Sequence, residues 1–382
     1  MSTLESINRS AARSDNTSGG VHIASRLAAR HRRRMVILVV SVFVLFFLSL
    51  TSISIGAAHI PFEDVWRAII AGVFSGLGAG GSGSELAGEL AKGTYAIVWD
   101  IRLPRVFMAL ICGAALSTCG VGMQGVLRNP LVSPYTLGIS SGAAFGASTV
   151  IVLGAGLLSL AGEYILIIGA AFFCSLTAVG LVVLISRARG MKAETLILAG
   201  IAIMYGFSAG TSILQYLATH EQLARIVFWL MGSLTSVSWS EVGISALFLL
   251  AGYPVLFAFS WHLNIIGSGE EVAKSLGTDP KRITAITIIT STLVTACVVS
   301  FTGIIGFVGL VGPHIARLIL GHDHRLLFPA SALTGAFLLV LSDTVARSLL
   351  GFTEIPIGIV TSLIGVPFFV SILARRRKVG RV

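Results

Sequence analysis

The chain is organised as long apolar runs separated by short polar segments. Ten such runs fall at 35–56, 105–127, 134–158, 164–186, 194–217, 242–260, 282–301, 304–320, 327–347 and 355–374. A helix needs about 20 apolar residues to cross the roughly 30 Å hydrocarbon core of a bilayer. The pattern therefore predicts an all-α integral membrane protein with about ten transmembrane helices.

Composition supports this prediction. Hydrophobic residues make up 55% and charged residues 12% of the 382-residue chain, whereas soluble domains average about 45–50% and about 25%. The formal net charge is +10. The basic residues form short clusters between apolar runs, which is typical of cytoplasmic loops, and no continuous basic face with interleaved aromatics is visible. The charge therefore argues against nucleic-acid binding.

The distribution of lysine and arginine predicts the orientation. With a cytoplasmic N-terminus and ten crossings, 21 of the 27 basic residues lie on the cytoplasmic side and 6 on the outer side. Because cytoplasmic loops collect positive charge, we expect the N- and C-termini to be cytoplasmic.

Four polar segments flank or interrupt the apolar runs. Residues 1–34 are basic and Ser-rich, and the run after them is too long for a signal-peptide core, so we expect a disordered cytoplasmic tail. Residues 57–104 form the longest outer loop, in which 65–74 predicts a surface helix. Residues 262–281 form a structured cytoplasmic loop, and 375–382 form a basic cytoplasmic C-terminus.

Patterns for nucleotide or metal chemistry are weak. Residues 76–81 formally match GxGxxG, but a dinucleotide fingerprint follows a strand and opens a helix, and these glycines lie in a Gly/Ser-rich loop. No GxxxxGK[ST] motif occurs, so an ATP-driven process needs a nucleotide site on another chain. The four cysteines form no CxxC pair and lie inside apolar runs, which favours small buried residues. We predict no catalytic residues and no metal site.

Arginines lie at two outer helix ends. Arg102 and Arg105 precede the second run, and Arg347 follows Asp343 by four residues, a spacing that allows a pair on one helix face. Such arginines often anchor helices at the membrane interface. If exposed on a surface poor in other cations, they would also offer sockets for the carboxylates of a partner. Both interpretations stay open.

The segment GEEVAKSLG (269–277) predicts a short helix on the inner surface. Ser268 and Glu271 have the spacing of a capping box. Ala273 and Leu276 are expected on one face, and Gly277 can end the helix in the left-handed region. The segment is either an amphipathic linker or the place where a soluble partner pushes on the membrane domain.

The loop after the second run must turn sharply. Pro130 and Pro134 forbid a continuous helix, and Asn129 before proline favours a turn. We therefore expect Asn129 and Leu131 near the inner mouth of any pathway. The small residues that follow, Gly138, Gly142 and Gly146 at helical spacing, predict close helix packing.

Eight blocks of the sequence resemble, in order, those of one family: the iron-siderophore, haem and cobalamin permeases of type II ABC importers. The blocks are RLPR (102–105), QGVLRNPLVSPYTLGISSGA (124–143), LILAG (196–200), FWLMGSLTSVSW (228–239), GEEVAKSLG (269–277), GFVGLVGPHIARLILGHDHR (306–325), SDTVAR (342–347) and EIPIGIVTSLIGVPFF (354–369). Eight matches in order are far more specific than one. The resemblance implies the ten-helix permease fold of a type II ABC importer.

The same resemblance implies a function and partners. Such a permease lies in the bacterial cytoplasmic (inner) membrane, with a second permease subunit (identical or related), two cytoplasmic ATPases and an extracytoplasmic binding protein. ATP and Mg²⁺ bind to the ATPases, so this chain is expected to bind no cofactor and not to be an enzyme. Because iron chelates are the commonest cargo of the family, a ferric siderophore is the first expectation, and haem or cobalamin is the alternative.

The resemblance also implies roles for individual residues. Arg102, Arg105 and Arg347 match arginines that receive glutamates of the binding protein. Asn129 and Leu131 match a cytoplasmic gate. The residues that match the coupling helices, which contact the ATPase, are Gly269, Glu270, Glu271, Ala273, Leu276 and Gly277.

The sequence departs from the family pattern at one place, and two other classes of protein have to be compared with it. The family's second gate has small hydroxyl residues where residues 191–194 are Met-Lys-Ala-Glu, so that gate does not carry over. An ion-coupled secondary transporter would need carboxylates buried mid-span and inverted repeats, and a membrane enzyme would need a converging His/Asp/Glu group. No chain of Asp, Glu and His residues crosses the apolar runs, so both are remote alternatives.

Overall fold

A computed structural model describes most of the chain, and every regular element in the described part is helical. The described residues are 29–56, 60–76, 93–154, 160–349 and 354–379. The predicted tail therefore lies outside the described residues up to position 28. Contacts divide the chain into two units, Met1–Phe46 and Phe47–Val382. In the first unit, helix α1 presents exposed apolar side chains such as Val36, Phe43 and Phe46.

The helices are numbered in chain order. They are α1 (Ala29–Ser54), α2 (Phe62–Gly76), α3 (Thr94–Val126), α4 (Ile139–Leu153), α5 (Leu160–Arg187), α6 (Ala193–Leu217), α7 (His220–Met231), α8 (Trp239–Ala258), α9 (Ser260–Gly267), α10 (Glu270–Ser275), α11 (Pro280–Thr302), α12 (Val308–Leu320), α13 (His324–Ser348) and α14 (Ile357–Val379). A π-helical stretch, Ile97–Arg102, lies inside α3.

The ten predicted runs each coincide with a helix. In the described residues, seven helices are long and apolar enough to cross a membrane: α1, α3, α5, α6, α8, α11 and α13. Three shorter apolar helices, α4, α12 and the Ile357–Ser371 part of α14, occupy the other three positions. The prediction of an all-α integral membrane protein is confirmed, whereas the cytoplasmic placement of both termini stays a prediction.

Two helix boundaries differ from the prediction. Helix α1 begins at Ala29, before the expected start at residue 35, because arginine is a good helix former and hydropathy does not register the basic residues 30–34. Helix α3 begins at Thr94, so the loop 57–104 already contains its first turns. The same loop contains α2, which confirms a helix at 65–74 and buries Val65 and Ala68.

Helices α3 and α13 pack against each other at glycine contacts. A Cβ atom on Gly335 would lie 2.2 Å from the carbonyl oxygen of Gly113, and a Cβ atom on Gly113 would lie 2.3 Å from that of Gly335. Only glycine permits such an approach of two helix backbones. Arg105 near the start of α3 is bonded to Asp343 near the end of α13, so the two helices are antiparallel.

The predicted small-residue face of α4 is confirmed. A Cβ atom on Gly142 would lie 2.6 Å from the carbonyl oxygen of Cys174, and one on Gly146 would lie 2.2 Å from that of Ala170. Both partners belong to α5. Glycine at these positions therefore allows α4 and α5 to approach closely.

Candidate functional site

One carboxylate joins two arginines at the end of the bundle where α3 starts and α13 ends. The Nε atom of Arg105 lies 2.8 Å from Oδ1 of Asp343. The Nε atom of Arg347 lies 3.0 Å from Oδ2 of the same residue, which confirms the predicted pair on one helix face. Asp343 is fully buried. The two guanidinium groups therefore use both oxygens of one buried carboxylate.

A second carboxylate, Glu354, contacts Arg105 from the surface. Arg105 Nη1 donates to both oxygens of Glu354, at 3.0 and 2.8 Å, and the Thr235 hydroxyl donates to Oε2 at 2.9 Å. The Glu354 side chain is 45% exposed. Partial burial raises the pKa of Glu354, but the charge and hydrogen bonds of Arg105 outweigh it and hold that pKa below its usual range.

Two arginines also cap the C-terminal end of α1. Arg102 Nη1 donates to the carbonyl oxygens of Ile53 and Ser54, at 2.6 and 3.1 Å. Arg347 donates from Nη2 to the Ser52 carbonyl, at 3.0 Å, and from Nη1 to that of Ile55, at 3.1 Å. The last carbonyls of a helix have no intrahelical donor and carry partial negative charge. The guanidinium groups supply both the donors and the opposite charge.

The three arginines are buried in this chain, whereas the socket interpretation assumed that they are exposed. Arg102 and Arg105 are each 5% exposed, and Arg347 is 6% exposed. An arginine is tolerated in the interior when its donors bond to carboxylates and carbonyl oxygens. The partners that do so here are distant in sequence, so the sequence pattern could not reveal the burial. We call Arg102, Arg105, Asp343, Arg347 and Glu354 the arginine cluster. Its role in docking stays a prediction.

The opposite end of the bundle carries the short helices α9 and α10. Helix α3 ends at Val126, and a Cβ atom on its Gly125 would lie 2.9 Å from Nε2 of His324, at the start of α13, and 3.2 Å from Cδ2 of Leu263, in α9. The arginine cluster and the α9–α10 segment therefore lie at opposite ends of α3 and α13. Which side of the membrane each end faces stays a prediction.

The predicted capping box at the start of α10 is wrong. The N-cap residue is Gly269, with φ +125° and ψ 151°, and it has no side-chain cap. Ser268 has φ −82° and ψ −6° and ends α9. A capping side chain requires an extended backbone at its own residue, and Ser268 is helical. Gly269 provides the reversal between two helices instead, in a conformation essentially restricted to glycine.

The predicted end of α10 is confirmed, but not the predicted face. Gly277 has φ +75°, its N–H donates to the Lys274 carbonyl at 3.0 Å, and the N–H of Thr278 donates to that of Ala273 at 2.9 Å. These two bonds define a Schellman motif. Ala273 is fully buried whereas Leu276 is 63% exposed, because α10 stops at Ser275 and the chain turns there.

The two predicted coupling glutamates differ in their contacts. Glu270 pairs with Lys274 on the same helix, at 3.2 Å, and lies 4.0 Å from Arg128 in the loop after α3. Glu271 is exposed. The first glutamate is therefore already linked to its neighbours, and the second is free to face solvent or a partner.

The loop between α3 and α4 turns as predicted. Arg128 has φ +49°, and the Asn129 side-chain oxygen accepts the N–H of Leu131 at 2.9 Å, an Asx turn. The buried Gln124 donates from Nε2 to the Val132 carbonyl, at 3.2 Å. Arg317 of α12 donates from Nη2 to Oε1 of Gln124, at 2.8 Å. Arg317 of α12 therefore holds the Gln124 amide, and that amide in turn holds the loop at Val132.

A large cavity lies beside this turn. Its volume is about 1400 Å³ and Asn129 is in its wall; Leu131 is 48% exposed and does not line it. The lining residues are Gln124, Gly125, Arg128, Asn129, Pro130, Leu263, Asn264, Gly267, His314, Arg317, Leu318, His322, Asp323, His324, Phe368 and Ser371. Of the two predicted gate residues, only Asn129 therefore faces the cavity.

The turn between α5 and α6 contains the departure at residues 191–194. Gly190 and Met191 both have positive φ, +78° and +59°, and the Met191 N–H donates to the Ser186 carbonyl at 2.9 Å. A left-handed methionine is uncommon. This segment is a tight two-residue reversal, with no small hydroxyl side chain in it.

Sequence reasoning missed Glu354, Ser52, Gln124 and Arg317. Glu354, Gln124 and Arg317 lie inside blocks that resemble the permease family, so the blocks mark the regions but not the contacts. Ser52 carries no signal in the sequence: it is one polar residue at the end of an apolar run. In the part of the chain that the structure describes, no group of three or more His, Cys, Asp or Glu residues could hold a metal ion.

Known proteins share both the sequence and the fold. The model of the FecCD transport family matches residues 42–375. A putative ABC transporter permease of Methanocaldococcus jannaschii is 41% identical over 74% of this chain and 82% of its own length. A cobalamin import permease of Halobacterium salinarum is 41% identical over 73% of this chain and 74% of its own. A hemin transport permease of Yersinia pestis is 38% identical over 74% of this chain and 84% of its own length.

A solved structure extends the comparison to three dimensions. It is described as an inward-facing conformation of a putative metal-chelate type ABC transporter. It superposes with a TM-score of 0.75 and 33% identity, over 89% of this chain and 99% of its own. Other relatives are named for molybdate import in Haemophilus influenzae and for iron chelatin transport in Helicobacter pylori.

The fold is that of the membrane-spanning permease subunit of an ABC importer. Within that class, the chain belongs to the FecCD transport family. It is a multi-pass protein of the cytoplasmic (inner) membrane, and ATP hydrolysis is performed by separate ATPase subunits.

Proposed function

We propose that this permease imports a metal chelate, with a ferric siderophore as the first expected cargo and haem or cobalamin as the alternative. The observation that carries the proposal is the shared fold, at 33% identity, with the solved structure described as a putative metal-chelate type ABC transporter. Relatives named for hemin, cobalamin, iron chelatin and molybdate span a range of cargo. The chelate itself is therefore the part of the proposal that needs a direct assay.

We propose that the chain works with a second permease subunit, two ATPases that bind ATP and Mg²⁺, and an extracytoplasmic binding protein. The α10 helix is the contact for the ATPase. Its ends are fixed by Gly269 and by the Schellman motif at Gly277, so a partner would move it as one body. Import then proceeds by alternating access, in which ATP binding changes the relative stability of two arrangements of the helices.

The docking proposal concentrates on Arg105. Its Nε atom is held by the buried Asp343, while its Nη1 atom is bonded to Glu354, whose side chain is 45% exposed. A carboxylate of the binding protein would replace Glu354 on Nη1 and leave the inner pair intact. Arg102 and Arg347 would support this exchange by fixing the end of α1.

The gate proposal rests on Asn129 and Leu131. The Asx turn and the Arg317–Gln124–Val132 contacts hold this loop beside the cavity. Movement of α12 would therefore reach the loop through Arg317. Opening and closing of the inner mouth would follow from that movement.

Uptake into proteoliposomes tests the cargo. The permease is reconstituted with its ATPase and binding protein, and uptake of ferric hydroxamate and catecholate siderophores, hemin, cyanocobalamin and molybdate is measured. We expect ATP-dependent, saturable uptake of a ferric siderophore. Uptake of hemin or cobalamin alone would support the alternative cargo. Uptake driven by an ion gradient without ATP would overturn the importer assignment.

Two variants test the contacts with partners. Glu354→Gln removes the competing carboxylate, so affinity for the binding protein should rise by about three- to tenfold at low salt. Unchanged affinity would remove Arg105 as a docking residue. Replacing Glu270 and Glu271 by Lys should separate ATP hydrolysis from uptake while the protein still inserts, and normal uptake would leave α10 a simple linker.

A further inference from the structure

Three residues join α9 to the start of α13. Asn264 Nδ2 donates to Oδ1 of Asp323 at 2.8 Å, and the backbone N–H of His324 donates to Asn264 Oδ1 at 3.0 Å. These partners fix the orientation of the amide, because a carboxylate only accepts and a backbone N–H only donates. His324 Nδ1 lies 2.7 Å from the same amide oxygen, so Nδ1 carries a proton in this arrangement. We call these residues the α9–α13 joint.

The joint includes the residue that starts α13. Asp323 is its N-cap: the carboxylate accepts the N–H of Arg325 at 3.1 Å, and its carbonyl accepts that of Leu327 at 2.8 Å. Partial burial raises the pKa of Asp323, but the Asn264 amide and the Arg325 N–H outweigh it and keep that pKa below its usual range. The carboxylate therefore stays charged at neutral pH and serves both α9 and α13.

A second contact links the same two helices. The Arg325 guanidinium carbon lies 4.7 Å from the centre of the Trp261 ring, a cation–π geometry. Leu263 and Ile266 of α9 are buried, and Gly125 of α3 makes room for both Leu263 and the His324 ring. Because these side chains are in direct contact on one side of the cavity, a displacement of α9 acts on α3 and α13 through these contacts.

Helix α13 connects the joint to the arginine cluster. Its 25 residues span about 37 Å at 1.5 Å per residue. It carries Asp343 and Arg347 at the far end, where Arg347 also bonds the end of α1. One continuous helix, which contains Pro329 near its start, therefore leads from α9 to the residues that hold the opposite end of the protein.

We propose that Asn264 is a positioning residue that couples displacement of the α9–α10 segment to α13. The inference rests on the proposed function, since it requires an ATPase that acts on α10. It adds to that function that the Asn264 amide transmits the movement from the ATPase contact, through α13, to the arginine cluster.

A donor–acceptor exchange tests the joint. Asn264→Asp places two carboxylates opposite each other and breaks the bond. The Asn264→Asp/Asp323→Asn double variant restores it with the donor on the other side, at the cost of the bond to the Arg325 N–H, since Oδ1 of Asp323 accepts both bonds. The matched control is Ser268→Ala, at the exposed end of α9. ATPase binding, basal ATP hydrolysis and uptake per ATP are measured on the reconstituted transporter.

The expected pattern separates coupling from folding. Asn264→Asp should bind the ATPase and hydrolyse ATP like the wild type, with uptake per ATP reduced roughly tenfold. The double variant should recover part of that loss, and Ser268→Ala should behave like the wild type. Wild-type uptake by Asn264→Asp, or a double variant no better than Asn264→Asp, would overturn the proposal. If Asn264→Asp accumulates poorly, Asn264→Leu, of similar volume, replaces it in the same assays.

A fluorophore directly after the end of α13 gives an independent measurement. Leu349 and Leu276 are each 63% exposed, and each is replaced in turn by a bimane-labelled cysteine in a Cys174→Ser background. Trapping with ATP and vanadate should change the emission at both positions in the wild type, but only at position 276 in Asn264→Asp. A normal change at position 349 in that variant would refute the route. A wild-type transporter without any ATP-driven uptake would instead refute the proposed function.

Discussion

Arg105 and Asp343 form a buried ion pair with 2.8 Å between Nε and Oδ1, although 238 residues separate them along the chain. Asp343 shares its other oxygen with Arg347. One buried carboxylate thus bonds to two arginines. The other donors of the arginine cluster bond to Glu354 and to the carbonyl oxygens of α1. The pair fixes the ends of α3 and α13 relative to each other, and Arg102 and Arg347 add the end of α1.

Removal of the Asp343 charge is expected to destabilise the protein strongly. Asp343→Asn leaves two buried guanidinium groups without their shared carboxylate, and breaking a buried pair in this way costs about 3–5 kcal/mol. The control is Glu63→Gln, which breaks an exposed i, i+4 pair with Arg67 and should cost less than about 1 kcal/mol. Thermal unfolding of the two variants in detergent measures the contrast; equal losses would show that the buried pair has no special weight.

The Glu354–Arg105 bond should survive mild acid. The pKa of Glu354 is held below its ordinary value of 4.5, so the bond contributes stability above that value and loses it as pH falls through the lower, folded-state pKa. The difference in unfolding temperature between wild type and Glu354→Gln should therefore be constant from neutral pH to mild acid and shrink only below 4.5. A difference that disappears above pH 5.5 would contradict this assignment.

The α3–α13 contact predicts a large effect of one methyl group. Gly335→Ala places a Cβ atom 2.2 Å from a backbone oxygen, and overpacking of this kind costs typically about 1–3 kcal/mol. Gly243→Ala, in α8, meets no atom within 4 Å and should be neutral or slightly stabilising. The yield and unfolding temperature of the purified variants test both statements. If Gly335→Ala unfolds at the same temperature as Gly243→Ala, α3 and α13 can move apart without a loss of stability, and the prediction is wrong.

The two glycines that bound α10 should differ in their tolerance of asparagine. Gly277 has φ +75° and ends a helix, where asparagine is also found, so Gly277→Asn should retain coupled uptake. Gly269, with φ +125° and ψ 151°, lies in a region essentially restricted to glycine. Gly269→Asn should therefore uncouple ATP hydrolysis from uptake. Comparison of uptake per ATP tests the pair, and equal tolerance would refute the conformational argument.

Capping patterns show how far local sequence rules extend. Thr219 with Gln222, and Ser238 with Glu241, form capping boxes at the starts of α7 and α8, whereas Ser268 with Glu271 does not. The same spacing would have predicted α7, which hydropathy missed because that helix is too short to span a bilayer. The pattern fails at Ser268 because that residue is already used to end α9.

The positions of the helices follow from hydropathy, but their polar contacts do not. Ten apolar runs locate ten helices because lipid imposes one requirement on all of them, that backbone groups be satisfied within each segment. The burial of Arg102, Arg105 and Arg347 depends on Asp343, Glu354 and the end of α1, which are distant in sequence. The joint at Asn264 has the same origin. Pairings across such distances cannot be deduced from local patterns.

The full set of arginine caps on α1 can form only late in the synthesis of the chain. The Ser52 carbonyl is made early, yet its donor, Arg347, follows 295 residues later. Until the ribosome has produced α13, the end of α1 lacks the two donors of Arg347, Nη1 and Nη2. A chain that stops before that point leaves the carbonyl oxygens of Ser52 and Ile55 without these bonds.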